Sequence, residues 1–137
     1  MKDEVVVLET NLDDCTGEQM GYAMDLLFQA GARDVWYTPI YMKKNRPAYA
    51  LSVICKPEVE EDLVRIIFRH TSAIGMRRSV KERIIMDRET TTVETPYGTL
   101  DAKKCTYGDI EKVTVEYESA KKIAEEQQIP LDELYKY

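Results

Sequence analysis

Three short segments carry side chains able to do chemistry. ETNLDD at 9–14 sets Asp13 and Asp14 side by side where an apolar run gives way to a helix start. TPIYMKKNRP at 38–47 packs Lys43, Lys44 and Arg46 into one turn, and HTSAIGMRR at 70–78 closes on Arg77 and Arg78. Adjacent carboxylates can hold a hard divalent cation through oxygen, and Lys and Arg donate charge-assisted hydrogen bonds to phosphate oxygens. Side by side, the two functions are what binding a metal–polyphosphate requires. On this reading Asp13 and Asp14 hold the divalent cation, while Lys43, Lys44, Arg46, Arg77 and Arg78 are the cations available to the phosphates. Each part also has a purely structural reading. The two aspartates complement the dipole of the helix that follows, the basic residues form a solvated hairpin tip, and Thr71 and Ser72 end a helix.

The elements that must bring these segments together follow from hydrophobic spacing. Val5 to Leu8 is a continuous apolar run, as in a strand buried on both faces. Thr16 and Gln19 have capping-box spacing, Gly31 supplies a stop, and Met20, Ala23, Met24, Leu27 and Phe28 repeat as one helix face. Residues 34–42 read as a strand whose Pro39 places it at a sheet edge or a bulge. A polar turn, KKNRP, leads to a second strand at 49–55 in which Tyr49, Leu51, Val53 and Cys55 alternate with Ala50, Ser52 and Ile54. Pro57 suits a first helical turn, Val59, Leu63, Ile66, Ile67 and His70 keep helical spacing, and 76–86 reads as a fourth strand. The order β-α-β-β-α-β predicts an α+β, ferredoxin-like split βαβ sandwich over 1–86. Beyond it, strands at 91–95, 99–107 and 113–117, a short helix through Ala120, Ile123 and Ala124, and a last turn at 131–136 predict a small β-rich appendage over 87–137.

This topology makes a geometric prediction. The first two strands run parallel, so the end of the first, the turn after the second and the start of the fourth gather at one end of the sheet. The first helix begins there too, adding N–H groups and a positive dipole end that favour phosphate.

Composition narrows the ligand. With 19 basic and 25 acidic residues the net charge is −6, and no wide basic stripe exists, so nucleic acid is an unsuitable partner and an anionic ligand should be small. Hydrophobic residues make up 44% and charged residues 32%, as in ordinary globular chains. Cys15, Cys55 and Cys105 are an odd, widely spaced set, which points to a reducing compartment and against a thiolate zinc site. His70 is the single histidine, read as a helix-end side chain rather than a ligand. With no apolar run of spanning length and no signal-like amino terminus, the expectation is a cytoplasmic protein without a membrane partner. The exposed edge strand makes a homo-oligomer the expected state.

Residues 9–14, 38–47 and 71–77, together with VETPYG at 93–98 and EYESAKKIAEE at 116–126, resemble the carboxy-terminal domain of the LarC family. These are nickel-insertion proteins of nickel-pincer nucleotide cofactor assembly. The resemblance implies a CTP-dependent cyclometallase, a nickel chelatase of the lyase class. Such an enzyme places nickel into pyridinium-3,5-bisthiocarboxylic acid mononucleotide while CTP is cleaved to CMP and pyrophosphate. It implies CTP with Mg2+ or Mn2+ as the ligand of this domain and carries the phosphate role to Lys43, Lys44, Arg46 and Arg77. Assigning the cation to Asp13 and Asp14 rests on chemistry more than on the family strings. Complete members carry a longer, often histidine-rich amino-terminal domain, so a separate partner of that kind is expected to handle nickel. The chain departs from the family at TSAIG, residues 71–75, where the usual string is a run of threonines, and around 104–115. A non-catalytic nucleotide-sensing module is the alternative, since fold does not fix function. A scaffold whose basic turn meets an acidic partner is the third reading.

Overall fold

In the computed structural model, which describes residues 1–137, the chain is extended from Lys2 to Leu12 as β1. Val6, Leu8 and Leu12 project to one side and are fully buried, and Thr10, in the same alternation, is buried as well. A capping box then starts α1 (Gly17–Gln29): Gln19 N–H donates to Thr16 Oγ1 at 3.1 Å, and Thr16 N–H donates to Gln19 Oε1 at 2.8 Å. The helix buries Met20, Ala23 and Leu27, as its spacing predicts. Phe28 departs from that expectation and is 45% exposed. At 100° per residue it lies about 80° round the helix from Met20, on the margin of the apolar stripe. Gly31 ends the element with φ +107°, and a Cβ there would come within 3.3 Å of Val59 Cγ1.

Strand β2 (Asp34–Met42) and strand β3 (Arg46–Cys55) form a hairpin around the short turn Lys43–Asn45. Pairing therefore begins at Arg46, earlier than the expected 49, and only three residues turn. A single turn at Pro57–Val59 leads into α2 (Glu60–His70), which buries Leu63 and Ile67, and β4 (Arg77–Ile84) follows. Because β3 is antiparallel to both β1 and β2, those two strands run parallel to each other. The sheet order β2-β3-β1-β4 puts β1 and β3 in the centre and β2, with Pro39, at an edge. This is the ferredoxin-like arrangement. Val6, Leu8, Leu51, Val53 and Cys55 from the sheet meet Leu27 and Leu63 from the helices, all at 1% exposure or less. Each buried side chain of that size is worth about 1.5–3 kcal/mol.

The chain divides into two compact units, Lys2–Arg83 and Ile84–Tyr137 with Met1. The second is a three-stranded antiparallel meander, β5 (Asp87–Thr95), β6 (Gly98–Tyr107) and β7 (Ile110–Val115), followed by α3 (Tyr117–Gln127) and a last turn at Leu131–Lys136. Leu100, Ala120 and Leu134 are its buried centre. Tyr117, expected at the end of a strand, instead opens α3. Gln127 Nε2 donates to the Tyr97 carbonyl at 2.6 Å, tying the helix to the β5–β6 turn.

One ion cluster braces the start of the sheet. Arg83 donates through Nε (2.9 Å) and Nη2 (2.7 Å) to the two Asp3 oxygens, and Lys56 Nζ donates to Asp3 Oδ2 at 2.7 Å. The Arg83 fork first, then Lys56, holds the Asp3 carboxyl far below the usual carboxylate range. A carboxyl with a lowered folded-state pKa contributes stability that is complete above its unfolded value, about pH 4, and is lost as pH falls below it. Urea titrations at pH 7 and at pH 3 should therefore show wild type losing stability more steeply on acidification than Asp3→Asn. Equal losses in the two proteins would remove this cluster from the acid response.

Candidate functional site

At the other end of the sheet, hydrogen bonds and one ion pair join the three segments singled out by sequence. β1 ends at Leu12, opposite Tyr49, so the following residues run alongside the hairpin turn. There Asp13 Oδ2 lies 3.6 Å from Arg46 Nη1. The Arg77 Nη2 group donates to Asn11 Oδ1 at 3.1 Å, fixing the start of β4 beside the end of β1. Thr10 Oγ1 donates to the Gly75 carbonyl at 2.8 Å, and Ser72 N–H donates to Cys15 Sγ at 3.3 Å. The Ser72 hydroxyl and the Cys15 thiol are 3.2 Å apart. Thr71 closes α2 by donating its hydroxyl to the Ile67 carbonyl at 2.7 Å, and accepts from Ala73 N–H at 3.1 Å.

The hairpin turn is held in an uncommon conformation. Lys44 (φ 62°, ψ 23°) and Asn45 (φ 56°) are both left-handed. Asn tolerates this region, whereas a long side chain such as Lys pays roughly 1–2 kcal/mol for it. The result points a run of three cations, Lys43, Lys44 and Arg46, out of one tight turn. Lys43, Lys44, Asp14 and Arg77 are exposed, and neither lysine nor Asp14 has an ion-pair partner. The Asp13–Arg46 pair is itself open, with 28% and 53% of the two side chains accessible. Pairs of this kind are worth about 0–1 kcal/mol, so an incoming anion or cation can exchange either partner. At α1 the cap satisfies Gln19 N–H, and the first two N–H groups of the helix remain for an anion.

Asp13, Arg46, Arg77 and the head of α1 are thus brought to one end, with Lys43 and Lys44 on the same turn as Arg46. Arg78 is turned elsewhere, forking onto Glu60 at the start of α2 and lowering that carboxyl's pKa. Nowhere do three or more His, Cys, Asp or Glu side chains gather in a metal-binding group. A divalent cation at Asp13 and Asp14 would accordingly take its remaining oxygens from phosphate and water, in keeping with the hard donors present. His70 packs edge-on against Tyr22, ring centres 5.6 Å apart, as a helix-end side chain. Tyr37 is structural too: its hydroxyl donates to the Met20 carbonyl at 2.7 Å, and burial pushes its pKa up to about 12.

Sequence reasoning missed Thr10, Asn11 and Cys15, and read Ser72 as ending a helix, whereas Thr71 caps α2 and Ser72 is held by Cys15. The one available signal was Thr10, a polar residue two positions after Leu8 on the buried side of an apolar strand. Such a residue needs a hydrogen-bond partner, here the Gly75 carbonyl.

Comparison with known proteins agrees with this architecture. The family model described as nickel insertion protein matches residues 1–135. A pyridinium-3,5-bisthiocarboxylic acid mononucleotide nickel insertion protein of Acetivibrio thermocellus is 45% identical over 133 residues, 97% of this chain and 33% of its own length. A protein of the same description from Lactiplantibacillus plantarum is 44% identical over 97% of this chain and 32% of its own. The chain spans about a third of the length of these relatives. Among solved structures, LarC2, described as the C-terminal domain of a cyclometallase involved in the synthesis of the NPN cofactor of lactate racemase, superposes with a TM-score of 0.94. It is 43% identical, and the match covers 99% of this chain and 94% of that one. A Methanopyrus kandleri protein matches with a TM-score of 0.69 at 27% identity, over 96% of this chain and 84% of its own. The chain belongs to the nickel insertion protein family, as a counterpart of the carboxy-terminal domain.

Proposed function

We propose that this chain is the CTP-binding part of a CTP-dependent nickel insertase, a cyclometallase that matures the nickel-pincer nucleotide cofactor. Its substrate would be pyridinium-3,5-bisthiocarboxylic acid mononucleotide, with nickel as the metal inserted. The observation that carries the reading is the placement of Asp13 against Arg46 of the Lys43–Arg46 turn, with Arg77 held on Asn11 at the same end of the sheet, in a fold shared with a cyclometallase domain. Lys43, Lys44, Arg46 and Arg77 bind the triphosphate. Asp13 and Asp14 hold Mg2+ or Mn2+, which supplies charge neutralisation at the phosphates. Transfer of the cytidylyl group onto the substrate forms a bond from a substrate nucleophile to the α-phosphorus and breaks the α–β phosphoanhydride bond, releasing pyrophosphate. Cations set in advance around that leaving group stabilise the charge that develops on it. Because Arg46 already faces Asp13, nucleotide binding exchanges that pair: phosphate takes the guanidinium and the cation takes the carboxylate. Tight nickel binding needs several imidazoles or thiolates close together. In this reading they come from a histidine-rich amino-terminal domain. The working protein is cytoplasmic and a homo-oligomer.

Charge-assisted hydrogen bonds are worth about 1.5–3 kcal/mol, so Arg46→Ala should weaken CTP binding roughly tenfold to a hundredfold. Lys43→Ala should behave similarly, and Lys122→Ala on α3 should not. Lys44→Gly separates structure from function: glycine relieves the left-handed turn, so stability should hold or rise by up to about 1 kcal/mol while CTP binding falls. Wild-type calorimetric affinity in all three turn variants would take the turn out of the site.

For the carboxylates, Asp13→Asn and Asp14→Asn should each abolish the Mn2+ dependence of CTP binding with the circular dichroism spectrum unchanged. Normal metal–CTP binding in both would leave them as helix-dipole residues.

Finally, the chain incubated with substrate, Ni2+, CTP and Mg2+ should form no mature cofactor until the histidine-rich domain is added. Product formed by the chain alone would contradict that division of labour. Binding of CTP with no turnover even after the addition would favour a nucleotide-sensing module.

A further inference from the structure

The segment Thr71–Met76 is fastened at both ends yet exposes its most apolar side chain completely. Ala73, 9% exposed, is part of the core cluster, and Met76 packs against that cluster. On one side Ser72 is held by Cys15 through N–H and hydroxyl, and Thr71 is tied to the last turn of α2. On the other side the Gly75 carbonyl is gripped by the hydroxyl of Thr10, a residue only 5% exposed. Between these anchors Ile74 stands 99% exposed. An isoleucine held out in water at the tip of a tethered segment forgoes the burial that its side chain would otherwise gain. Slack in the chain does not account for it, because the residues on either side of Ile74 are fixed. The segment joins α2 to Arg77, so Ile74 sits three positions before one of the cations assigned to phosphate.

We infer that Thr71–Met76 is a pre-formed arm whose tip, Ile74, packs on the nucleoside half of the nucleotide, with Thr10 as the positioning residue that holds the arm in place. The inference rests on the proposed nucleotide site. The base and ribose of a nucleotide present apolar faces next to a charged tail, and a site made only of Lys, Arg and Asp grips the tail alone. An apolar wall next to the phosphate cations gives such a site selectivity for a nucleotide over free polyphosphate. Thr10 acts through the Gly75 carbonyl: without the buried Thr10 hydroxyl that carbonyl loses its donor and the arm is released.

Binding of two probes, CTP and inorganic triphosphate, each with Mn2+, tests this by calorimetry on the full chain. Ile74→Ala should weaken CTP by roughly tenfold to a hundredfold, the worth of one buried aliphatic side chain, and leave inorganic triphosphate unchanged. Thr10→Val, of equal size but without the hydroxyl, should lower CTP affinity in the same selective way, and Thr10→Ser should restore it. Absence of CTP binding in the wild type would refute the nucleotide site itself. CTP binding by the wild type with an unchanged CTP-to-triphosphate ratio in Ile74→Ala would overturn the arm's role alone. So would an association state, measured by sedimentation, that shifts in Ile74→Ala while CTP affinity stays the same, since Ile74 would then be a contact between copies. A Thr10→Val defect that Thr10→Ser does not repair would remove Thr10 from the argument.

Discussion

The antiparallel pairing of β1 with β3 sets the position of every other part of the first unit. Seven residue pairs, from Val6–Cys55 to Leu12–Tyr49, fix the register, and a slip of β1 by one residue would turn Val6, Leu8 and Leu12 away from the helices. With β3 between β1 and β2 and antiparallel to both, β1 and β2 must finish at the same end of the sheet. The helix that follows β1 and the hairpin that follows β2 then start as neighbours. The basic turn meets Asp13 because of this register, and the burial that enforces it lies wholly in the core.

The two ends of the sheet differ in how their charges are used. At the start, Asp3 is saturated by Arg83 and Lys56 at hydrogen-bond distances, with little left to offer a ligand. At the finish, the Asp13–Arg46 pair is long and open, and Lys43, Lys44 and Asp14 are unpaired. Tight pairing serves stability, whereas loose pairing beside a free helix N-terminus leaves charge available to a ligand. The left-handed Lys44 belongs to the same contrast, because a turn that stores strain in a lysine, where glycine would relax, is typical of a functional position.

Much of this was legible in the sequence because the core elements have strong periodicity. The Thr16–Gln19 cap, the Met20–Leu27 stripe, the edge strand bearing Pro39 and the split βαβ order all follow from residue spacing, and the family resemblance carried by the same strings is borne out. Strand lengths were less legible. β1 continues to Leu12 because the alternation of Val6 and Leu8 runs on to Leu12 through a buried Thr10, whose polarity masks it, and β3 begins at Arg46, before the alternation that starts at Tyr49. β5 and β7 likewise begin at Asp87 and Ile110, earlier than the β-branched runs that mark them. Phe28 was misplaced because a residue at the stripe's margin is decided by its neighbours rather than by its own period. The tethers from Thr10, Asn11 and Cys15 join residues more than fifty positions apart, and no local pattern encodes such a contact.

We place metal–nucleotide binding at the sheet end that holds Asp13, the Lys43–Arg46 turn and Arg77. A crystal structure of the chain with CTP and Mn2+, using the anomalous signal of manganese to place the cation, tests it most directly. A manganese peak should stand beside Asp13 and Asp14, with triphosphate density among Lys43, Lys44, Arg46 and Arg77. Manganese and CTP bound clear of all of these residues would contradict it.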